Sequence, residues 1–340
     1  MAQINLQKSR WKYGKQFAYS VTYDEGLEDL LKYTVPIHNK FNIPGCVAVV
    51  VSQIGQKRNL PTSSYHGMMH MNVDQLKDIM SIGWSVANHS MTHGYMKDNT
   101  YMEVVESKYK LEDMLGTPIT AFIVPNHNDH HPPVVPYAKE HGYLSVYTIT
   151  DAINTYQTDR FALNRTTMVQ RGFAPFFSEY DPYHRLHDVL ERQGWIVEYS
   201  HLTNPYNISP EKDITQADLI RRFEKLEEVG HGRYWAATPQ DVVDYMHLNE
   251  SLRISNVQKN QNTISCKISI HNLPPQVQKK EITLEVSTDF KSRNVQIFVE
   301  QIEITDHVQI LSSDNQRWYI NLALENTMNL RFRFNQPEMK

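Results

Sequence analysis

Two histidines four residues apart, in Asn88-His89-Ser90-Met91-Thr92-His93, follow the apolar run Trp84-Ser85-Val86-Ala87. Imidazoles at that spacing beyond a strand reach one divalent cation and leave it half held, so a carboxylate has to come from elsewhere in the chain. The stretch Phe17-Ala18-Tyr19-Ser20-Val21-Thr22-Tyr23-Asp24-Glu25-Gly26 offers two. Adjacent acids followed by glycine at a strand end suit a hard site, where one carboxylate binds an ion and the other moves a proton. The competing reading of the histidine pair is two solvated side chains on a helix face.

Thr22-Tyr23-Asp24-Glu25-Gly26 resembles the Thr-Phe-Asp-Asp-Gly motif of the polysaccharide deacetylases, the carbohydrate esterases that include chitin and peptidoglycan deacetylases. The Asn88–His93 stretch is similar to that family's second motif. The resemblance implies that Glu25, His89 and His93 hold Zn2+, or another divalent ion such as Co2+ or Ni2+. It implies Asp24 as the base that deprotonates the attacking water. Glu25 stands where the family has aspartate, one methylene longer. Tyr199-Ser200-His201 resembles the fifth motif, Leu-x-His, and makes His201 the acid that protonates the leaving group.

The third motif, Arg-x-Pro-Tyr/Phe-Gly, is only partly kept. Ile123 stands where the arginine belongs, Pro125 is retained, and Asn126 replaces the aromatic residue. In the family that arginine orients the base, so a substitute is required; Arg165 and Arg171 are the candidates. Of the fourth motif, Asp151 alone is visible. Pro125, Asn126, His127 and Tyr199 are the expected substrate contacts, with Asp129, His130 and His131 further candidates on the same loop.

The elements that must position these groups alternate between strand and helix up to about residue 248, which implies parallel βαβ units. The strand-like runs are Phe17–Thr22, Gly45–Val51, Trp84–Ala87, Ile119–Pro125, Tyr143–Asp151, Trp195–Leu202 and Tyr234–Ala237. Helices are expected over Asp29–Phe41, interrupted by Pro36, and over Asn72–Ser81, Met102–Leu115, Asp188–Gln193, Ile214–Val229 and Val242–Leu248. Residues 52–70 and 126–136 read as polar loops around a cleft. The resemblance implies a distorted (β/α)7 barrel, whose chemistry belongs at the C-terminal strand ends. From Glu250 the pattern alternates with period two, as in Thr263–Ile270 and Asn329–Phe334. The expectation is therefore a barrel over 1–249 and a small antiparallel β-sandwich over 250–340.

A 340-residue chain with net charge -4 presents no basic field for nucleic acid. It has no apolar run long enough to span a membrane. Cys46 and Cys266 fall in different expected domains, Cys46 as a small buried hydrophobe. Met1–Asn5 carries no signal peptide, which taken literally means the cytoplasm. The resemblance implies instead a secreted or periplasmic protein whose leader has been removed. The reading is a metal-dependent hydrolase that takes acetyl groups, N-acetyl before O-acetyl, from a carbohydrate. The alternatives are an allantoinase-like C–N hydrolase and an inactive glycan-binding barrel. Oligomeric state is left open.

Overall fold

The structure, a computed structural model, describes residues 3–169, 181–206, 208–312 and 314–335. The chain divides into two compact units: Phe17–Val243, and Met1–Gln16 together with Asp244–Lys340. The division expected at 249/250 puts the N-terminal residues with the barrel. In the structure Ile4–Lys8 instead pairs antiparallel with Glu281–Thr288. A five-residue strand gives no local sign of a partner so far along the chain.

The first unit is mixed α/β, built on a curled parallel sheet. Its strands are β1 (Phe17–Tyr23), β2 (Gly45–Val49), β3 (Ser85–Asn88), β4 (Ala121–Ile123), β5 (Ser145–Tyr147), β6 (Thr166–Thr167), β7 (Trp195–Ser200) and β8 (Tyr234–Ala236). Every residue of β1, β2 and β7 is buried, as parallel strands covered on both faces require. The order is β5-β4-β3-β2-β1-β7-β6, with β8 pairing the N-terminal half of β1. Beyond the sheet's two ends, Leu163 N donates to Val146 O at 2.9 Å and Thr148 N to Leu163 O at 2.8 Å. Those bonds carry the pairing from β5 to the segment that enters β6.

Local chemistry explains most helix boundaries. Asn72 and Gln75 form a reciprocal capping box at the start of Val73–Ser81. Pro36 sits in the first turn of Val35–Phe41, so the 29–41 segment is two helices. Met102–Glu106 is a π-helical turn that runs into Ser107–Leu115, closed by left-handed Gly116. The later helices are Leu186–Arg192, Gln216–Gly230 and Pro239–Ser251. Residues 131–140, expected as loop in their first half, are a helix: Pro132 and Pro133 occupy its first turn, where no backbone N–H is needed. Deep in this unit Glu198 Oε2 accepts from Arg222 Nε at 3.1 Å and from the Tyr19 hydroxyl, and Arg222 Nη2 lies 2.7 Å from Oε1; both ion-pair partners are fully buried.

The second unit holds two antiparallel sheets. One has four strands, with Ile4–Lys8 at its edge and Glu281–Thr288, Arg317–Ala323 and Gln309–Ser312 following. The other has five, including Leu252–Lys259, Thr263–Ile270 and Thr327–Phe334. Alternate residues are buried along them, for example Ile264, Cys266 and Ile268. Trp318 and Phe334, from different sheets, pack with ring centroids 4.9 Å apart.

Candidate active site

The C-terminal ends of β1, β3, β4 and β7 open on one cavity of about 210 Å³. Asp24 directly follows β1, and its N–H bonds Ser200 O at 2.9 Å, holding it beside the end of β7. The chain then turns through two left-handed residues, Glu25 (φ 79) and Gly26 (φ 76). Glycine is required at 26: a Cβ there would lie 3.0 Å from Val49 Cγ1 on a backbone already at positive φ. Glu25 is the unusual member, a non-glycine residue in the left-handed region.

The two carboxylates meet different cations. Asp24, 3% exposed, takes both ends of the fully buried Arg165 fork, Nη1–Oδ1 2.7 Å and Nη2–Oδ2 3.1 Å. Arg165 Nη1 also donates to Thr22 Oγ1 at 3.0 Å, and the guanidinium lies 4.7 Å from the centre of the Tyr199 ring. Burial alone would push the Asp24 carboxyl up. Arg165, His89 and His201 outweigh it and hold the group at about 2. Arg165 is thus the guanidinium that faces Asp24, reaching it from the segment leading into β6. Arg171, the other candidate, lies outside the described residues.

Glu25 is paired with Arg58. Nη1 of Arg58 reaches Oε1 at 3.3 Å and Nη2 bonds Oε2. The same guanidinium donates to Ser63 Oγ and Gln53 Oε1, both at 3.1 Å. Burial would raise the Glu25 carboxyl, but His93, Arg58, His201 and His89 together hold it below its usual range. The segment carrying Arg58 is not the open loop expected over 52–70. Gly55 N bonds Met71 O, His70 N bonds Gln56 O, and Arg58 exchanges bonds with Met68 and Gly67. Met71 N also donates to Gly26 O and Glu28 N to Met69 O, so this ladder is tied to the Asp24–Glu28 turn.

The histidines stand on a tight turn. Ser90 (φ 75) and His93 (φ 63) are left-handed, Ser90 N bonds Asn88 Oδ1, and His93 N bonds Ser90 Oγ. His89 is buried, with Nδ1 2.9 Å from Ile123 O; the carbonyl fixes that nitrogen as the donor. Burial lowers the His89 imidazole to about 4, against the pull of Asp24. The His89 and His93 rings are 5.0 Å apart edge to face, and His93 Nε2 is 3.8 Å from Glu25 Oε1.

These donors are of the types a divalent ion takes, but their arrangement does not fit one as it stands. Both Glu25 oxygens are engaged by Arg58. Among the described residues no three His, Cys, Asp or Glu side chains gather closely enough to hold an ion.

His201 closes the other side of the cavity. Its Nδ1 lies 3.2 Å from Lys212 O, and its ring stacks on Tyr65 at 5.9 Å. Burial lowers the His201 imidazole, opposed by Asp24 and Glu25. Tyr65 belongs to the 52–70 segment, and its hydroxyl donates to Asp213 Oδ1 at 2.6 Å.

Asp24, Glu25, His89, His93, Asn126, His127, Tyr199 and His201 all line the cavity. Pro125 does not; Val124 lines it instead. Ile149, Glu211 and Lys212 complete the wall and carried no sequence signal. Nor did Arg58, whose only mark in the sequence is a charge within a polar stretch.

The polysaccharide deacetylase family matches residues 12–146. No curated protein matches the chain. Among solved structures, a deacetylase of Streptococcus pyogenes in complex with acetate is 20% identical with a TM-score of 0.36. It covers 43% of this chain, and the chain covers 62% of it. A polysaccharide deacetylase of Bacillus cereus is 14% identical, TM-score 0.40, over 65% of this chain and 91% of its own. A candidate polysaccharide deacetylase of Mycobacterium smegmatis is 18% identical, TM-score 0.43, over 72% and 94%.

Proposed function

We propose, from the match of residues 12–146 to the polysaccharide deacetylase family, that the cavity hydrolyses acetyl groups from a carbohydrate, N-acetyl in preference to O-acetyl. The observation that carries the reading is the forked Asp24–Arg165 pair, set in one cavity with His89 and His201. A carboxylate held at about 2 stays ionised at any working pH. Its geometry is fixed by a partner that cannot lose its own charge.

Asp24 is the base. It accepts a proton from water as the oxygen bonds to the acetyl carbon and that water becomes more acidic. His201 is the acid: in its protonated form it gives a proton to the departing nitrogen or oxygen as the bond to the acetyl carbon breaks. Acetic acid leaves and loses its proton to solvent as acetate, and the proton on Asp24 passes to His201, which restores both groups. Tyr199 carries the Arg165 guanidinium on its ring, and Asn126 and His127 border the cavity on the β4 side as substrate contacts.

Members of this family are typically metal-dependent. Glu25, His89 and His93 are the residues a Zn2+, Co2+ or Ni2+ ion would take, and Arg58 on both Glu25 oxygens stands against such an ion in the arrangement seen. The parallel sheet is read as a distorted seven-stranded barrel, closed through the β5–Leu163 bonds. The two antiparallel sheets are read as an accessory sandwich, and acetylated polysaccharide places the protein outside the cytoplasm.

Asp24→Asn tests the assignment. The fold should survive while release of acetate from acetylated oligosaccharides falls by roughly two to four powers of ten. If wild-type protein releases no acetate from a panel of such sugars yet binds them, the chain is a glycan-binding barrel. Turnover of small ureides instead would favour the C–N hydrolase.

A further inference from the structure

We infer that Arg58 holds the place at Glu25 that a divalent cation would take, so that the Arg58–Glu25 ion pair and metal loading exclude one another. The inference rests on the metal reading of the site and concerns a residue that reading does not contain.

Three observations carry it. The Arg58 guanidinium occupies both oxygens of the carboxylate expected to bind the ion. The pair is shielded, with side-chain exposures of 9% for Arg58 and 5% for Glu25, so solvent screens it little. Arg58 is also held in place: Ser63 and Gln53 each accept a further bond from its Nη1 and Nη2, and the backbone ladder tied to Gly26 and Glu28 positions its Cα.

A guanidinium and a divalent ion on the same carboxylate repel at contact distance. For an ion to enter, Glu25 has to release Arg58, and Arg58 has to move off with only Gln53 and Ser63 as partners. Binding is then an exchange of one cation for another, weaker than the two imidazoles and one carboxylate would give unopposed. The same pairing keeps the buried Glu25 charge balanced when no metal is bound.

The test is calorimetric titration of ZnCl2 into chelator-stripped full-length protein, wild type against Arg58→Gln, Arg58→Lys and Glu25→Gln. Arg58→Gln keeps hydrogen-bonding capacity and removes the charge. It is expected to bind zinc at least about ten-fold more tightly than wild type. Arg58→Lys keeps the charge as a single point and is expected to fall between the two. Glu25→Gln is expected to weaken zinc in either background. Thermal melts of each stripped protein check folding, and loss of the fold in Arg58→Gln leaves the Lys variant to decide.

Equal or weaker zinc binding after removal of the Arg58 charge overturns the inference. So does zinc affinity in Arg58→Lys equal to wild type if that variant has to decide. Tight stoichiometric zinc in wild type, unchanged in Arg58→Gln, supports the metal reading while overturning the competition. No zinc in any variant overturns both and leaves acetate release to be judged separately.

Discussion

Replacing Arg165 by Met removes the charge opposite Asp24 and keeps a long apolar stem in its slot. Arg165 is 0% and Asp24 3% exposed, so little water is at hand to replace the partner of the carboxylate that remains. Breaking a buried pair on one side costs about 3–5 kcal/mol. A second route gives a similar size: the carboxyl lies at about 2 against an ordinary 3.8, which corresponds to on the order of 2–3 kcal/mol at neutral pH.

The sign is fixed by the direction of the shift. A depressed carboxyl stabilises the fold above its unfolded value, 3.8, and that contribution disappears as pH falls through about 2. Arg165→Met should therefore be less stable than wild type by about 3 kcal/mol near neutral pH. The deficit should shrink as both proteins approach the pH at which Asp24 is protonated. Urea unfolding at a series of pH values reads the deficit. A pH profile of acetate release reads the same change as an acid limb moved upward, because burial then acts on Asp24 without its strongest opponent. A stability deficit of the same size at pH 3 as at pH 7 would refute the reasoning, since it would make Arg165 a packing residue whose charge does not act on Asp24.

His201→Ala should slow hydrolysis of an acetamide far more than of a phenolic acetate, whose leaving group needs little protonation; parallel rate measurements on the two substrates decide it. Burial raises Asp213 from 3.8 to about 6 despite the Tyr65 bond, so its contribution to folding is present below 3.8 and lost as pH rises through about 6. Asp213→Asn should flatten the fall in stability across that window, read by urea melts. Arg222→Met leaves Glu198 buried and unpaired and should destabilise the fold by about 3–5 kcal/mol in the same assay. Deleting the residues up to Lys8 uncovers the edge of Glu281–Thr288 and should cause self-association, seen by light scattering.

What was legible in the sequence follows the range of the forces involved. The strands of the parallel sheet announce themselves because burial on both faces demands unbroken apolar runs, and Val73–Ser81 does so because Asn72 and Gln75 cap it locally. The acids and histidines are legible for the same reason: each follows directly on a strand, so strand geometry alone delivers Asp24, His89 and His201 to one end of the sheet. Illegible were the groups whose role depends on a partner far along the chain. Arg165 is separated from Asp24 by the whole of β2 to β5, and nothing near it in sequence distinguishes it from Arg171. Ile4–Lys8 finds its place only against Glu281–Thr288. Arg58 is the sharpest case, since the motif around Glu25 reads as a metal ligand while the Arg58 side chain makes it half of an ion pair. A motif specifies which donors are present at a strand end. The counter-charges that decide what those donors bind arrive from loops, where sequence pattern places almost no constraint. Departures from a family's chemistry in this chain are therefore to be sought first among the cations facing Asp24 and Glu25, before the acids themselves.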